Sequence, residues 1–321
     1  MIHLADPPTL LSDVIPDLGA VVQLLEENAP YTPLGGWFRP GQAEGDPSSP
    51  MWFQNDWVHA DLAVRGSDLF VDHERVTAAA REFYDAEVVV PHTLYVNLMA
   101  CIEKSGPAHT DNPVFQGRDR TNTPMWLLRT MFWSGLFERW GIRQATSIWW
   151  MNDVEGGGFR YWPHGPDRPP ERYLEGMANT AMVGDNHGMF HQVEPVGPFD
   201  QGTRLVTSRA ELAPVGDGSG DWQVMDRDAV QYRAALEDIR VSVLWKAHIY
   251  ANEEDRRTRE GDVLPLEQVA EIFAEDFSAK GLDLRLDLER LMEPAHQGEI
   301  AAVYPEARPL EAAPSIFDAY T

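Results

Sequence analysis

At 321 residues with a formal charge of −25, the chain is long enough to bury a sizeable core and too acidic to favour nucleic acid or an anionic membrane. It has no apolar run of membrane-spanning length and no charged-then-apolar leader, and its one cysteine, Cys101, excludes an intrachain disulfide. These features predict a soluble cytoplasmic protein, monomeric or homodimeric, with Cys101 as a small buried hydrophobe.

Leu11, Val14, Leu18, Val21, Val22 and Leu25 recur at helical spacing and predict one or two helices over residues 9 to 28, broken or started at Pro16. Residues 29 to 56, rich in Pro, Gly and aromatics, read as irregular, and Asp61 to Val64 as a short strand. Asp72 is placed to cap a helix running to Tyr84, with Val76, Ala79, Ala80 and Phe83 on its apolar face. Strands then follow at Val88 to Val90 and Leu94 to Cys101. A helix over Pro124 to Trp140 has proline at its first turn. Ala145 to Asn152 and Phe159 to Trp162 read as strands joined by the glycine turn Glu155-Gly156-Gly157-Gly158. Asn179 to Val183, Met189 to Val196, Arg204 to Glu211, Trp222 to Met225 and Ile239 to Tyr250 are further strands. Leu266 to Lys280 is an amphipathic helix closed by Gly281, and the tail from Pro294 reads as loosely ordered. Helices on either side of about eight short strands predict one domain over 1–321. The fold class is mainly β with flanking α-helices: a double-stranded β-helix, or cupin-like jelly roll, with its core at about 88–250 and helical flanks at 1–87 and 251–321.

His109 and Asp111 stand two residues apart in Pro107-Ala108-His109-Thr110-Asp111-Asn112-Pro113, just after the first strong strand. In an extended segment such residues point to one side, so an imidazole nitrogen and a carboxylate oxygen can meet at one atom. Two histidines and one carboxylate form the facial triad that holds non-haem Fe(II) with positions left open. Downstream, His187 and His191 compete to be the second histidine. His191 lies inside a strand after the Gly184-Asp185 turn and His187 on the turn itself, and a ligand needs a rigid mount, which favours His191. His187 then reads as a loop residue or a neighbour of the ligands.

The combination of His109-x-Asp111 with a strand histidine 82 positions on resembles the Fe(II)/2-oxoglutarate-dependent oxygenase superfamily. The hairpin Gly157-Gly158-Phe159-Arg160-Tyr161-Trp162-Pro163 resembles its phytanoyl-CoA-hydroxylase-like branch. The resemblance covers about Tyr95 to Tyr250. It implies Fe(II), 2-oxoglutarate and O2 as cofactors, His109, Asp111 and His191 as metal ligands, and hydroxylation of a small-molecule substrate, such as one of specialised metabolism. It also implies a basic residue on a late strand that clamps the distal carboxylate of 2-oxoglutarate, often with a hydroxyl two positions on. Arg204 has the usual spacing from His191 but no hydroxyl at Val206. Arg240 lies farther away, yet Arg240 and Ser242 share one face of the strand Ile239 to Trp245, and they are preferred. Asn97 is a candidate donor to the keto acid. Trp149, Trp150, Arg160 and Tyr161 are weaker candidates for the substrate side, the tryptophans reading first as core. Asp111 places the chain outside the halogenases of the superfamily, which lack the carboxylate ligand. A cupin-type dioxygenase without a keto acid, and a non-catalytic jelly-roll binding module, are the alternatives. Metal content together with succinate release separates the three.

Overall fold

The protein is described as a computed structural model covering residues 6–34, 46–199 and 205–316. In chain order the strands are β1 (Thr9–Ser12), β2 (Thr32–Pro33), β3 (Phe53–His59), β4 (Leu62–Ala63), β5 (Val88–Met99), β6 (Arg143–Trp150) and β7 (Phe159–Tyr161). They continue as β8 (Glu171–Tyr173), β9 (Thr180–Gly184), β10 (His191–Val193), β11 (Glu211–Pro214), β12 (Asp221–Asp226), β13 (Ala229–Ala235) and β14 (Arg240–Tyr250). The α-helices are α1 (Leu18–Glu27), α2 (Asp68–Val71), α3 (Glu74–Tyr84), α4 (Met125–Ser134), α5 (Glu253–Gly261), α6 (Leu266–Ala279) and α7 (Pro294–Ala301).

A large antiparallel sheet runs β1-β9-β6-β14-β5-β3-β2, with β4 paired to β3. A smaller sheet, β10-β7-β8, packs against it, and the His109 segment joins this sheet through an antiparallel bridge to His191. From β5 the chain steps to the His109 segment, back to β6, across to β7 and β8, back to β9, across to β10, and home to β14. This alternation between two facing antiparallel sheets is the jelly-roll path, here left open rather than closed into a barrel. A third sheet, β11-β12-β13, is inserted between β10 and β14. It docks on the N-terminal region through Tyr31, which bridges Leu212 and packs its ring on Trp222.

β14 is the spine, paired to β5 on one side and β6 on the other. Val241, Val243, Trp245, Ala247 and Ile249 face the helical layer, where they join Trp57, Phe70, Trp149 and Ala80 in one buried cluster. Arg240, Ser242, Leu244, Lys246 and His248 face the other way, into a cavity of about 450 Å³. Period-two alternation thus gives the strand one apolar face and one polar face. A second cluster lies between the sheets (Met99, Ile148, Trp150, Phe159, Met182, Val193), and a third joins α4, α6 and α7 through Leu128, Phe137, Phe273 and Ile300. The small sheet is held from outside by Glu194, 6% exposed, which accepts from Arg172 at both carboxylate oxygens (2.7 and 2.6 Å) and from Arg160.

Several elements differ from expectation for identifiable reasons. Residues 9 to 12 form an edge strand on β9 rather than a helix, because Pro7 and Pro8 precede them and Asp13, at φ 50°, turns the chain before α1 begins. His73, not Asp72, caps α3, its Nδ1 accepting from Val76 N–H while Nε2 donates to the Val14 carbonyl. Asp72 instead closes the short α2. The two expected strands around Pro91 are one, since the proline sits at a register shift where no N–H is required. Gly135, at φ 68°, ends α4 before a separate 3-10 turn at Glu138–Trp140. The described part of the tail from Pro294 is not loose: α7 buries Ile300 against the helical cluster. Among the described residues no helix is long and apolar enough to cross a membrane.

Candidate metal centre

His109 and His191 are brought opposite each other by backbone pairing: His109 N–H donates to the His191 carbonyl (3.0 Å), and His191 N–H to that of His109 (2.9 Å). Asp111, two residues on, is fixed by its own N–H to the Asn186 carbonyl at 2.7 Å. One ligand atom from each of His109, Asp111 and His191 lies within 4.8 Å of the others. The rings are oriented from behind. His109 Nδ1 donates to the Pro107 carbonyl (2.9 Å) and His191 Nδ1 to that of Met189 (3.1 Å). A proton held at Nδ1 leaves Nε2 as the free lone pair, the arrangement that metal-binding histidines require. His191 Nε2 stands 3.7 Å from Asp111 Oδ1. Burial, followed by the neighbouring His109, pushes the His191 imidazole down to about 4, so it stays neutral at ordinary pH. Two imidazoles and one carboxylate fit a divalent first-row metal.

The other oxygen of Asp111 is engaged. Lys246 Nζ donates to Oδ2 at 2.8 Å, with both side chains largely buried. Burial pushes the Asp111 carboxyl up, but the Lys246 ammonium and the surrounding imidazoles outweigh it and hold the group well below the usual range. Lys246 mirrors this: burial lowers it, and Asp111 and Tyr95 raise it further. Asp111 therefore presents one oxygen to the triad and keeps the other for Lys246. Lys246 was not singled out in the sequence, although it lies on the same face of β14 as Arg240 and Ser242.

Arg240 and Ser242 sit toward the other end of the cavity face. Arg240 is 3% exposed. Its Nε donates to the Gly157 carbonyl at 2.7 Å, and its Nη1 to Ser242 Oγ at 3.3 Å and Met99 Sδ at 3.5 Å. Its Nη2 has no partner, and no carboxylate pairs with it among the described residues. Burial alone lowers its pKa to about 9. A buried guanidinium without an acid is costly unless an anion completes it. Asn97, opposite Ser242 on β5, adds a buried Oδ1 without a partner. Arg204 lies outside the described residues.

His187 is buried on the cavity wall, pushed down to about 3 by burial and by Lys246, but it does not belong to the triad. Trp149 packs in the helical core against Phe70 and His73, and Trp150 between the sheets against Phe159 and Tyr173. Arg160 turns outward to Glu194, and Tyr161 donates to Glu171 at 2.8 Å. None of these four lines the cavity. His92, Gln144 and His248 do, and they were not marked in the sequence.

No protein-family model matches the chain, and no curated protein matches it in sequence. Solved structures resemble it distantly. An oxidoreductase of the 2OG-Fe(II) oxygenase family from Burkholderia pseudomallei is 12% identical over 75% of this chain and 84% of that one, with a TM-score of 0.38. A prolyl hydroxylase from Trichoplax adhaerens, in complex with a hypoxia inducible factor peptide fragment, is 10% identical over 81% and 88%, with a TM-score of 0.40. HygX from Streptomyces hygroscopicus, with nickel, 2-oxoglutarate and hygromycin B bound, is 9% identical over 76% and 83%, with a TM-score of 0.38. Likeness at this level carries no weight for function, which rests on the side chains.

Proposed function

We propose that the protein is a non-haem Fe(II)- and 2-oxoglutarate-dependent oxygenase that hydroxylates a small molecule. The observation that carries this reading is the pairing, in one cavity, of the His109-Asp111-His191 cluster with a buried arginine that lacks an acid. A metal-dependent jelly-roll enzyme without a keto acid has no use for Arg240. In this reading His109 and His191 bind iron through Nε2 and Asp111 through Oδ1. Arg240 Nη2 and the Ser242 hydroxyl hold the distal carboxylate of 2-oxoglutarate by charge-assisted hydrogen bonds. Asn97 faces the same ligand. When bound, iron supplies activation of O2 coupled to oxidative decarboxylation of the keto acid. Lys246 fixes the angle of the Asp111 carboxylate and offsets its charge. Leu244, Ile148, Phe159 and Val193 line the cavity with apolar surface that excludes bulk water. The glycine hairpin before Trp162 supports placement in the phytanoyl-CoA-hydroxylase-like branch, and the absence of disulfides suits a cytoplasmic setting.

The test is succinate release. Iron-loaded protein given 2-oxoglutarate and O2 forms succinate in uncoupled turnover, and His191→Ala forms none. Metal binding without any consumption of 2-oxoglutarate would point to the keto-acid-free enzyme, and absence of metal binding to a non-catalytic module.

A further inference from the structure

The cavity continues past the triad, away from Arg240. Two residues beyond Lys246 on the cavity face of β14 stands His248, and its partner on β6 is Gln144. Regular alternation would turn His92 away from this space, since Thr93, Tyr95 and Asn97 already hold the cavity face of β5. The register shifts here: Lys246 pairs with Thr93 and Ala247 with Pro91, leaving His92 as the extra residue of a bulge. Bulges re-aim side chains, and this one brings the His92 ring to 4.1 Å from that of His248, centroid to centroid. Both rings and Gln144 line the cavity, alongside an apolar wall of Val114, Phe115 and Ile142.

Two buried nitrogens at this end lack a hydrogen-bond partner. Gln144 is 2% exposed, and its Nε2 reaches no acceptor. The buried Nε2 of His92 is likewise unpaired, while its Nδ1 meets Thr93 Oγ1 at 2.8 Å. Leaving such groups unsatisfied is costly, so a ligand that returns these bonds is favoured. Charge narrows its type. Burial keeps both imidazoles neutral, pushing His92 down to about 3 and lowering His248. Lys246 is already paired with Asp111. A cation would meet the Lys246 ammonium, and a carboxylate would find no buried cation free beside these imidazoles, since the lining's remaining cation, Arg120, is solvent-exposed and Arg240 lies at the other end. A hydroxyl, which both donates and accepts, matches an amide N–H beside an imidazole nitrogen.

We propose that this end is the substrate subsite and that it takes an uncharged, hydroxyl-bearing apolar molecule, whose oxygen accepts from Gln144 Nε2 and donates to His92 Nε2. The proposal rests on the oxygenase reading, in which the keto acid occupies the Arg240 end.

The test uses protein loaded with zinc(II) and 2-oxoglutarate, with cyclohexanol, cyclohexanecarboxylate and cyclohexylamine as probes in ligand-observed NMR titrations. Cyclohexanol is expected to bind about tenfold more tightly than either charged probe. Gln144→Leu and His92→Phe are each expected to weaken it about fivefold or more, at parental zinc and 2-oxoglutarate affinities. Tightest binding of the carboxylate would make this an anion site and overturn the proposal. Unchanged cyclohexanol binding in both variants, or no binding of any probe, would overturn it too. A parent protein that fails to bind 2-oxoglutarate with zinc present overturns the oxygenase reading itself, and this proposal with it.

Discussion

The side chain that couples the centre to the fold is Lys246. It gives the buried Asp111 carboxylate a cation before any metal arrives. Lys246→Met leaves that carboxylate buried and alone, and removing one partner of a buried pair costs about 3–5 kcal/mol. A bound divalent metal supplies positive charge to the same group. The melting temperature of the variant is therefore expected to fall sharply in metal-free protein and much less with zinc bound. Equal falls in both states would show that the pair supports the fold without regard to the site. At this scale the sequence is informative where chemistry and spacing coincide. His109 and Asp111 stand two residues apart in an extended segment, and His191 opens a strand. Lys246 was legible in principle, because positions 240, 242, 244, 246 and 248 alternate on one face. It went unmarked because a lone lysine between hydrophobic residues carries no motif. His92 was not legible at all: only the bulge turns it inward, and a bulge has no pattern in a single sequence.

At the scale of elements, the turn before β7 supports Arg240. Gly157 has φ 66°, and a Cβ placed on it would lie 2.9 Å from Arg240 Cδ and 2.8 Å from Val154 Cγ2. Gly157→Ala must therefore shift the arginine as well as strain the turn. The expected outcome is weaker 2-oxoglutarate binding at unchanged zinc affinity, measured by calorimetric titration. Loss of both together would mean that the turn holds the whole small sheet rather than the arginine. The strong strands were legible because β5, β6 and β14 are long and rich in β-branched and aromatic residues. The edge strands β1 and β8 were not, since a few residues recruited by a neighbour carry no alternation of their own. α7 was hidden because its apolar contacts, centred on Ile300, are few and its composition is that of a linker.

Across the whole molecule, burial of neutral histidines sets a pH limit. Burial holds His92 and His187 at about 3 and His191 at about 4, each below the ordinary 6.5. A folded-state pKa below the unfolded one gives stability that is complete above about pH 6.5 and is lost as pH falls toward the folded value. While the unfolded chain is protonated and the folded one is not, each such group costs about 1.4 kcal/mol per pH unit. Denaturant unfolding of metal-free protein is thus expected to lose several kcal/mol between about pH 7 and pH 5. Zinc, which binds only the unprotonated triad, should blunt the loss. A stability that stays flat over that interval would mean that these imidazoles are not held neutral.

The central claim joins a metal to a keto acid in one cavity, and calorimetric titration of 2-oxoglutarate into anaerobic protein, with and without Fe(II), tests it most directly. Tight binding is expected only with metal present. His191→Ala should lose both ligands, while Arg240→Ala should keep iron and bind 2-oxoglutarate about ten- to a hundredfold more weakly, the equivalent of about 1.5–3 kcal/mol of charge-assisted hydrogen bonding. A 2-oxoglutarate affinity indifferent to both the metal and Arg240 would contradict the account, and a loss on Arg204→Ala instead would move the clamp to that residue.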